Sequence, residues 1–285
     1  MAAVTGAWWK RWVFLYLPLG AFVIVTLFPF YYMAVTSLRP DREMYIPWNR
    51  PNFAPFWTLK PTLEHFALLF RETLFVRWLL NTLTISILST GIALFCGLLA
   101  AYALARLRFP LGGTLGTSIF VTYLVPQTLL FIPLGEVIRS FRLNDSLWAL
   151  ILTYPTFLIP FCTWLMMGYF RTIPKELEEC AQIDGATRVQ AMVRIIFPVA
   201  MPGILSAAIF AFTHAWNEFI YALVFLSSAT NKTVPVGVVS ELVRGDTFFW
   251  GPLMAGALLG SVPVAFIYSF FVENYVSAMT GAVKG

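Results

Sequence analysis

Charged residues are scarce in this sequence, and their scarcity indicates whether the protein is surrounded by water or by lipid. Asp, Glu, Lys and Arg make up 12% of the 285 residues, hydrophobic residues make up 59% and mean hydropathy is +0.76. A soluble globular domain carries about 25% charged residues. The composition therefore excludes an ordinary soluble domain and indicates an integral membrane protein.

Residues that build catalytic and metal sites are also few. The three cysteines, Cys96, Cys162 and Cys180, are an odd number, and no disulfide framework is implied. Two histidines without a Cys/His cluster predict no metal site. The glycine-rich signature of a P-loop does not occur, so ATP hydrolysis by that route is excluded. We expect a chain that is not an enzyme and carries no cofactor of its own.

Long apolar runs occupy most of the chain. Each holds the ~20 apolar residues that a helix needs to cross ~30 Å of hydrocarbon, whereas a β-barrel would show short alternating segments. The predicted fold class is an all-α membrane protein with six transmembrane helices, in a single transmembrane domain over residues 1–285. The spans are predicted at 13–37, 79–105, 112–135, 147–170, 199–226 and 251–272.

Basic residues give neither an orientation nor a nucleic-acid partner. Lysines and arginines divide almost evenly between the two sets of loops, so the positive-inside rule decides nothing. No basic cluster stands out, and no nucleic acid is expected as a partner. Six spans place both termini on the same side of the membrane.

The polar segment between the first two spans divides into an irregular half and a helical half. Prolines from Pro40 to Pro61 keep the first half irregular. After Pro61, one helical face over about 61–76 is apolar, formed by Leu63, Phe66, Ala67, Phe70 and Leu74. We expect this face to lie on the membrane surface or to pack on the bundle, with contact to an external partner as the alternative.

The polar segment from about 171 to 198 predicts two short helices joined at a sharp bend. Pro174 can lie in a first turn, and Gly185 fits the left-handed residue that ends a helix. Thr187, with Gln190 three residues later, makes a capping box, and Pro198 marks the next span. An ordinary solvated loop, whose glutamates favour a helix N-terminus, is the alternative.

Polar residues inside the apolar runs are a second candidate site. An ionised Glu218 costs ~2.5–3.5 kcal/mol within the hydrocarbon, so it should face a partner or a water-filled cavity. His214, Asn217, Glu218 and Tyr221 are spaced to form one stripe on a continuous helix, and Gln127 lies in the third run. These residues either line a translocation path or form a structural network in which Glu218 pairs with His214 or with a partner subunit.

The residues from Glu179 to Pro198 resemble a known signature. Glu-x-Ala, three residues, Gly, nine residues and Ile-x-x-Pro is similar to the coupling loop of binding-protein-dependent ABC importer permeases, although Cys180 and Phe197 replace the usual Ala and Leu. Four other segments resemble the carbohydrate-uptake, maltose-type branch and its shorter six-span subunit. They are 100–106, 126–127, 215–219 and 281–285.

This resemblance implies a type I ABC importer permease fold and a permease subunit that couples ATPase motion to alternating access for a sugar or sugar-like solute. The implied partners are a second permease subunit in a hetero-dimer, a dimer of ATPase subunits holding ATP and Mg, a periplasmic or extracellular solute-binding protein, and membrane lipid. The implied location is a bacterial cytoplasmic (inner) membrane, crossed several times, with both termini and the motif loop cytoplasmic. The loop from Ser227 to Trp250 is expected to meet the binding protein.

Two sets of site residues follow. The resemblance assigns coupling to the ATPase to Glu179, Ala181, Asp184, Gly185 and Pro198. The candidates for the substrate path are Gln127, Asn217, Glu218 and Tyr221. The alternative function is a proton-coupled secondary transporter or channel that uses Glu218 and His214 as a relay. That class often shows internal inverted repeats, of which no clear example is found, and it gives the motif loop no role.

Overall fold

The computed structural model describes residues 8–47, 49–50, 54–58 and 60–281, so residues 282–285, part of the resemblance, lie outside it. Two short segments are π-helical: Trp12–Tyr16 lies between α1 and α2, and Met192–Ile196 lies between α11 and α12. The helices are α1 (Trp8–Arg11), α2 (Leu17–Leu38), α3 (Asp41–Met44), α4 (Glu64–Glu72), α5 (Phe75–Arg106), α6 (Gly112–Leu124), α7 (Gln127–Ser140), α8 (Leu147–Thr153), α9 (Pro155–Thr172), α10 (Glu176–Ile183), α11 (Arg188–Ala191), α12 (Phe197–Val199), α13 (Met201–Trp216), α14 (Ile220–Phe225), α15 (Val234–Leu242) and α16 (Trp250–Gly281). An antiparallel hairpin of β1 (Val243–Arg244) and β2 (Thr247–Phe248) precedes α16.

Six membrane crossings can be built from these helices. Within the described residues, four are long and apolar enough as they stand: Trp9–Leu38, Phe75–Arg106, Leu147–Thr172 and Trp250–Phe271. Two more come from bent pairs, Gly112–Leu124 with Gln127–Ser140 at 97° and Arg188–Val199 with Met201–Trp216 at 76°. The predicted helical membrane fold is therefore confirmed.

The third predicted span is bent, and proline explains the bend. A proline disfavours helical geometry in the residue before it. Val125 accordingly has an extended backbone, with φ −66° and ψ 125°, and Pro126 then precedes the first residue of α7. The span predicted over 112–135 therefore consists of two helices that meet at Pro126.

The chain separates into two compact units, residues 1–73 with 238–259 and residues 74–237 with 260–285. In the first unit, the proline-rich loop folds back over the end of α2. The guanidinium of Arg39 donates to the carbonyl oxygens of Ala54 and, at 2.8 Å, Trp57. The amide of Thr62 donates to the carbonyl of Leu38 at 2.8 Å. The backbone of this loop is therefore tied to the helix end.

The buried residues of the amphipathic helix α4 lie outside its predicted apolar face. His65 and Leu69 are buried, and Nε2 of His65 lies 2.7 Å from the carbonyl oxygen of Arg39. Leu63 and Phe70, on the predicted packing face, are 69% and 48% exposed. Lipid is as apolar as a protein core, so an apolar stripe in a membrane protein does not tell whether that face contacts lipid or packs against other helices.

The second unit is built around α5, which packs along α9 and α13. Its packing face is made of small residues, among them Ser89, Ala93 and Ala101, all fully buried. At Gly97 a side chain would begin 2.8 Å from Cβ of Cys162, so the backbones of α5 and α9 approach closely there. One apolar cluster includes the side chains near Tyr154, and a second lies where α5 and α9 meet the motif loop.

Candidate functional site

The first helix of the predicted coupling loop ends at a glycine in the left-handed conformation. Gly185 has φ +91°, and its amide donates to the carbonyl of Gln182 at 3.1 Å. The amide of Ala186 donates to the carbonyl of Ala181 at 2.9 Å, which completes a Schellman motif. The predicted role of Gly185 in ending the helix is confirmed.

The second helix of the loop starts with the predicted capping box. The amide of Gln190 donates to Oγ1 of Thr187 at 3.3 Å, and the amide of Thr187 donates to Oε1 of Gln190 at 2.8 Å. Pro174 lies ahead of α10, which begins at Glu176, so its predicted place in the first turn is wrong. Both ends of the bend are fixed by local hydrogen bonds, so the loop forms a compact knob.

The residues assigned to ATPase coupling lie on the surface of this knob. Ala181 is half-buried, and the other four are exposed: Glu179, Asp184, Gly185 and Pro198. Beside them are large exposed apolar side chains, Ile183 at 84% and Val189 at 65%. The knob thus offers an apolar tip flanked by carboxylates.

Glu178, next to the exposed Glu179, is buried, and the sequence did not identify it as a site residue. Glu178 is 7% exposed, and its carboxylate accepts a hydrogen bond from the hydroxyl of Tyr102 at the end of α5. The residues that meet it are distant in sequence. No local pattern distinguishes Glu178 from the exposed acidic residues around it.

The fifth span is broken where the polar stripe was predicted. Helix α13 ends at Trp216 and α14 begins at Ile220, so the expectation of one continuous helical stripe is wrong. Glu218 lies in the break and accepts hydrogen bonds from the amides of Tyr221 at 2.8 Å and Ala222 at 3.1 Å. A carboxylate at the free amides of a helix start favours that start, so Glu218 stabilises α14.

The same carboxylate ties this break to another span. The hydroxyl of Tyr154, a fully buried residue between α8 and α9, donates to Oε2 of Glu218 at 2.8 Å. The expected pairing with His214 is not formed in the structure. Instead, Nε2 of His214 lies 3.1 Å from Nε2 of Gln127, the first residue of α7. Glu218 is thereby surrounded by a hydroxyl and two backbone amides.

The other path candidates divide into a buried and an exposed member. Tyr221 is 1% exposed, and its hydroxyl donates to the carbonyl of Gln127 at 3.0 Å. Asn217, the residue after α13, is exposed, and its side-chain amide donates to the carbonyl of Thr213 in the last turn of that helix at 2.9 Å. His214 is exposed as well, and its ring packs 5.0 Å from that of Phe157. The structure thus brings Gln127, His214 and Tyr221 together and leaves Asn217 at the surface.

The polar loops at the far end of the second unit are held by one aspartate. Oδ1 of Asp145 accepts from the amides of Ser227 and Ser228, both at 2.9 Å, and the Ser228 hydroxyl donates to Oδ2. The side chain of Asn231 donates to the Asp145 carbonyl at 2.6 Å. Partial burial acts to raise the pKa of the Asp145 carboxyl, but the hydrogen bonds from Ser228, Ser227 and Asn231 outweigh it and hold that pKa below its ordinary value.

Comparison with known proteins gives consistent results. The family described as "Binding-protein-dependent transport system inner membrane component" matches residues 93–281. The chain is 38% identical over 274 residues to the inner membrane ABC transporter permease protein YcjP of Escherichia coli, with 95% of each chain covered. It is 36% identical to the sulfoquinovosyl glycerol transport system permease protein SmoH of Agrobacterium fabrum, covering 91% of this chain and 89% of that one. It is 34% identical to the trehalose/maltose transport system permease protein MalG of Thermococcus litoralis, covering 92% and 93%.

A solved structure supports the same fold. The crystal structure of a bacterial ABC transporter involved in the import of the acidic polysaccharide alginate contains a chain that superposes with a TM-score of 0.79. The alignment covers 96% of this chain and 99% of that one at 20% sequence identity. With the family match and the relatives above, the chain belongs to the binding-protein-dependent transport system inner membrane components, as a multi-pass permease subunit of an ABC transporter.

Proposed function

We propose that this chain imports a sugar or sugar-like solute, driven by ATP that is bound and hydrolysed in a separate pair of ATPase subunits. The observation that carries the proposal is the coupling knob, in which Gly185 and the Thr187 capping box fix a bend and leave an apolar tip exposed. The substrate class follows the relatives, whose names include sulfoquinovosyl glycerol transport, trehalose/maltose transport and diacetylchitobiose uptake. A second permease subunit completes the membrane part as a hetero-dimer.

The knob has the surface that docking on an ATPase requires. Ile183 and Val189 are more than half exposed, and such large apolar side chains lose water on insertion into a cleft. Glu179 and Asp184 stand beside them and can pair with basic groups at the rim. Because the chain lacks a P-loop, ATP and Mg belong to the partner.

The substrate path is assigned to the polar groups of the broken spans. The exposed Asn217 and the half-buried Gln127 offer amides to sugar hydroxyls. Glu218 and Tyr221 support the path, since their polar atoms are bonded to Tyr154, to α14 amides and to the Gln127 carbonyl. The proton-relay alternative gains no support, because the carboxylate of Glu218 and the ring of His214 bond to different partners.

A solute-binding protein is assigned to the opposite end from the knob. The Asp145 clamp orders the start of the loop from Ser227 to Trp250, and an ordered loop binds a partner at lower entropic cost. Under this proposal, both termini and the knob lie in the cytoplasm of a bacterial-type cell.

Orientation can be tested with a native cysteine. Cys180 is exposed on the knob, whereas Cys162 is buried within the spans. A membrane-impermeant maleimide should label Cys180 in inside-out vesicles and leave it unlabelled in intact cells. Labelling in intact cells would overturn the orientation. Protection of Cys180 on addition of the ATPase subunits would support docking at the knob.

Transport is tested by reconstitution of the whole complex. The two permease subunits and the ATPase are placed in proteoliposomes with the binding protein, and uptake of radiolabelled trehalose, maltose and diacetylchitobiose is measured. ATP or a non-hydrolysable analogue is supplied on the side of the membrane that carries the ATPase subunits. We expect uptake of at least one of these sugars with ATP and none with the analogue. Uptake that follows a proton gradient without ATP would refute the proposal.

A further inference from the structure

The first helix of the knob has one buried side chain. Among the eight residues of α10, all of which are described, Glu178 is the buried one. A helix of this length is not stable in water without outside contacts. The second half of the knob is different, since Ala191, Met192 and Ile196 are buried and pack in the apolar cluster at the ends of α5 and α9.

The attachment is a buried, charged cluster at the end of α5. Oε1 of Glu178 accepts from the hydroxyl of Tyr102, and Nε of Arg106 lies 3.8 Å from Oε2. The side chains of Arg106 and Glu178 are 3% and 9% exposed. Nη2 of Arg106 also donates to the carbonyl of Ile173 at 2.7 Å, in the link between α9 and α10. Buried charges require such partners, so Glu178 is held in one place.

The opposite end of α5 is bonded to another loop through hydrogen bonds from two of its side chains. Nε1 of Trp78 donates to the carbonyl of Ala229 at 2.7 Å, and the side-chain amide of Asn81 donates to that of Thr230 at 2.9 Å. Helix α5 is continuous between these two attachments, about 32 Å apart at 1.5 Å per residue from Asn81 to Tyr102. A displacement of either loop therefore acts on the same helix.

We propose that Glu178 is a positioning residue that hooks the coupling knob to α5, so that α5 transmits motion between the ATPase side and the loop at 229–234. The inference rests on the proposed function, since it assigns a step within ATP-driven transport. Without the hook, α10 follows the ATPase while α5 does not. ATP hydrolysis then continues with less solute moved and a weaker response to the binding protein.

The test uses the assembled importer in proteoliposomes with the sugar, among trehalose, maltose and diacetylchitobiose, that the wild type takes up. Glu178→Gln and Tyr102→Phe each remove one element of the hook, and Glu176→Gln is the matched control because Glu176 is exposed in the same helix. We expect each hook variant to reduce sugar moved per ATP hydrolysed, and the stimulation of ATPase by the loaded binding protein, by about tenfold or more, the scale of a lost hydrogen bond to a charged group. The control should match the wild type.

Further outcomes separate coupling from stability. The double variant should be no worse than the single ones, because residues that share one interaction are not additive. Arg106→Lys should retain more coupling than Arg106→Gln, since lysine keeps the charge beside Glu178. If the variants lower the melting temperature or yield but leave sugar per ATP unchanged, Glu178 is a structural residue and the inference is overturned. Failure of the wild type to take up sugar with ATP would instead refute the proposed function.

Discussion

Removal of the Glu218 side chain tests whether the broken fifth span is held together by its carboxylate. Glu218→Ala deprives Tyr154 of the acceptor for its hydroxyl and leaves the first amides of α14 without a cap. Tyr154 is fully buried, so no water replaces the lost partner. An unsatisfied buried group costs about 1–3 kcal/mol and a lost helix cap about 0.5–2 kcal/mol.

The lower part of both ranges applies, because hydrogen bonds inside membrane bundles average about 0.6 kcal/mol. We therefore expect Glu218→Ala to lose about 2 kcal/mol, which lowers the melting temperature by about 4–8 °C for a chain of this size. Glu218→Gln should lose about half as much. Its carbonyl can accept from Tyr221 and its amide can donate to Tyr154, while Ala222 is left without an acceptor.

The assay is thermal unfolding of the purified complex, with uptake measured on the assembled fraction. Asn217→Ala is the control for stability, since Asn217 is exposed and bonds to the adjacent last turn of α13 through Thr213, and it should instead impair uptake. Wild-type melting of Glu218→Ala would refute the scaffold role. If Glu218→Gln abolishes uptake in a stable complex while Asn217→Ala is silent, the path assignment fails and the proton-coupled alternative is favoured.

Three further predictions concern single positions. Gly185→Val should cost about 1–2 kcal/mol through backbone strain alone, since the space around Gly185 is open. The variant should lose ATP-driven uptake but still insert into the membrane, and Gly185→Asn should have a milder effect. Wild-type uptake by the valine variant would contradict the coupling role. Gly97→Ala should destabilise the protein by about 1–3 kcal/mol through its clash with Cys162, while Gly91→Ala, in open space on the same helix, should be neutral or stabilising, as measured by melting temperature. The lowered pKa of Asp145 stabilises its loop fully above the unfolded pKa of about 3.9, and this contribution disappears as pH falls through the folded value. The protection of amides 227–231 against hydrogen exchange, taken relative to the intrinsic rate at each pH, should thus fall at acid pH, and Asp145→Asn should remove this pH dependence of the protection. An unchanged pH profile of the protection in the variant would count against the role of Asp145.

The sequence by itself determined that the protein lies in a membrane, how many helical crossings it has and how the knob is built locally. The apolar runs specify spans because every backbone group within a bilayer must be bonded inside the segment. Gly185, Thr187 and Gln190 specify the bend because left-handed geometry and capping are interactions within a few residues. These features need no information from distant parts of the chain.

The tertiary structure decided which polar groups meet and which apolar faces are buried. The α4 stripe was predicted to lie on the membrane surface or to pack on the bundle, and the structure leaves Leu63 and Phe70 of that stripe exposed; the sequence left both placements open because lipid and protein accept the same side chains. Glu218 bonds to Tyr154 instead of His214, and Glu178 is buried beside Tyr102 while its neighbour Glu179 is exposed. Each of these pairings joins residues more than sixty positions apart, and helix packing alone brings them within hydrogen-bonding distance. Local periodicity contains no information on such contacts, since it describes one helix and not its neighbours.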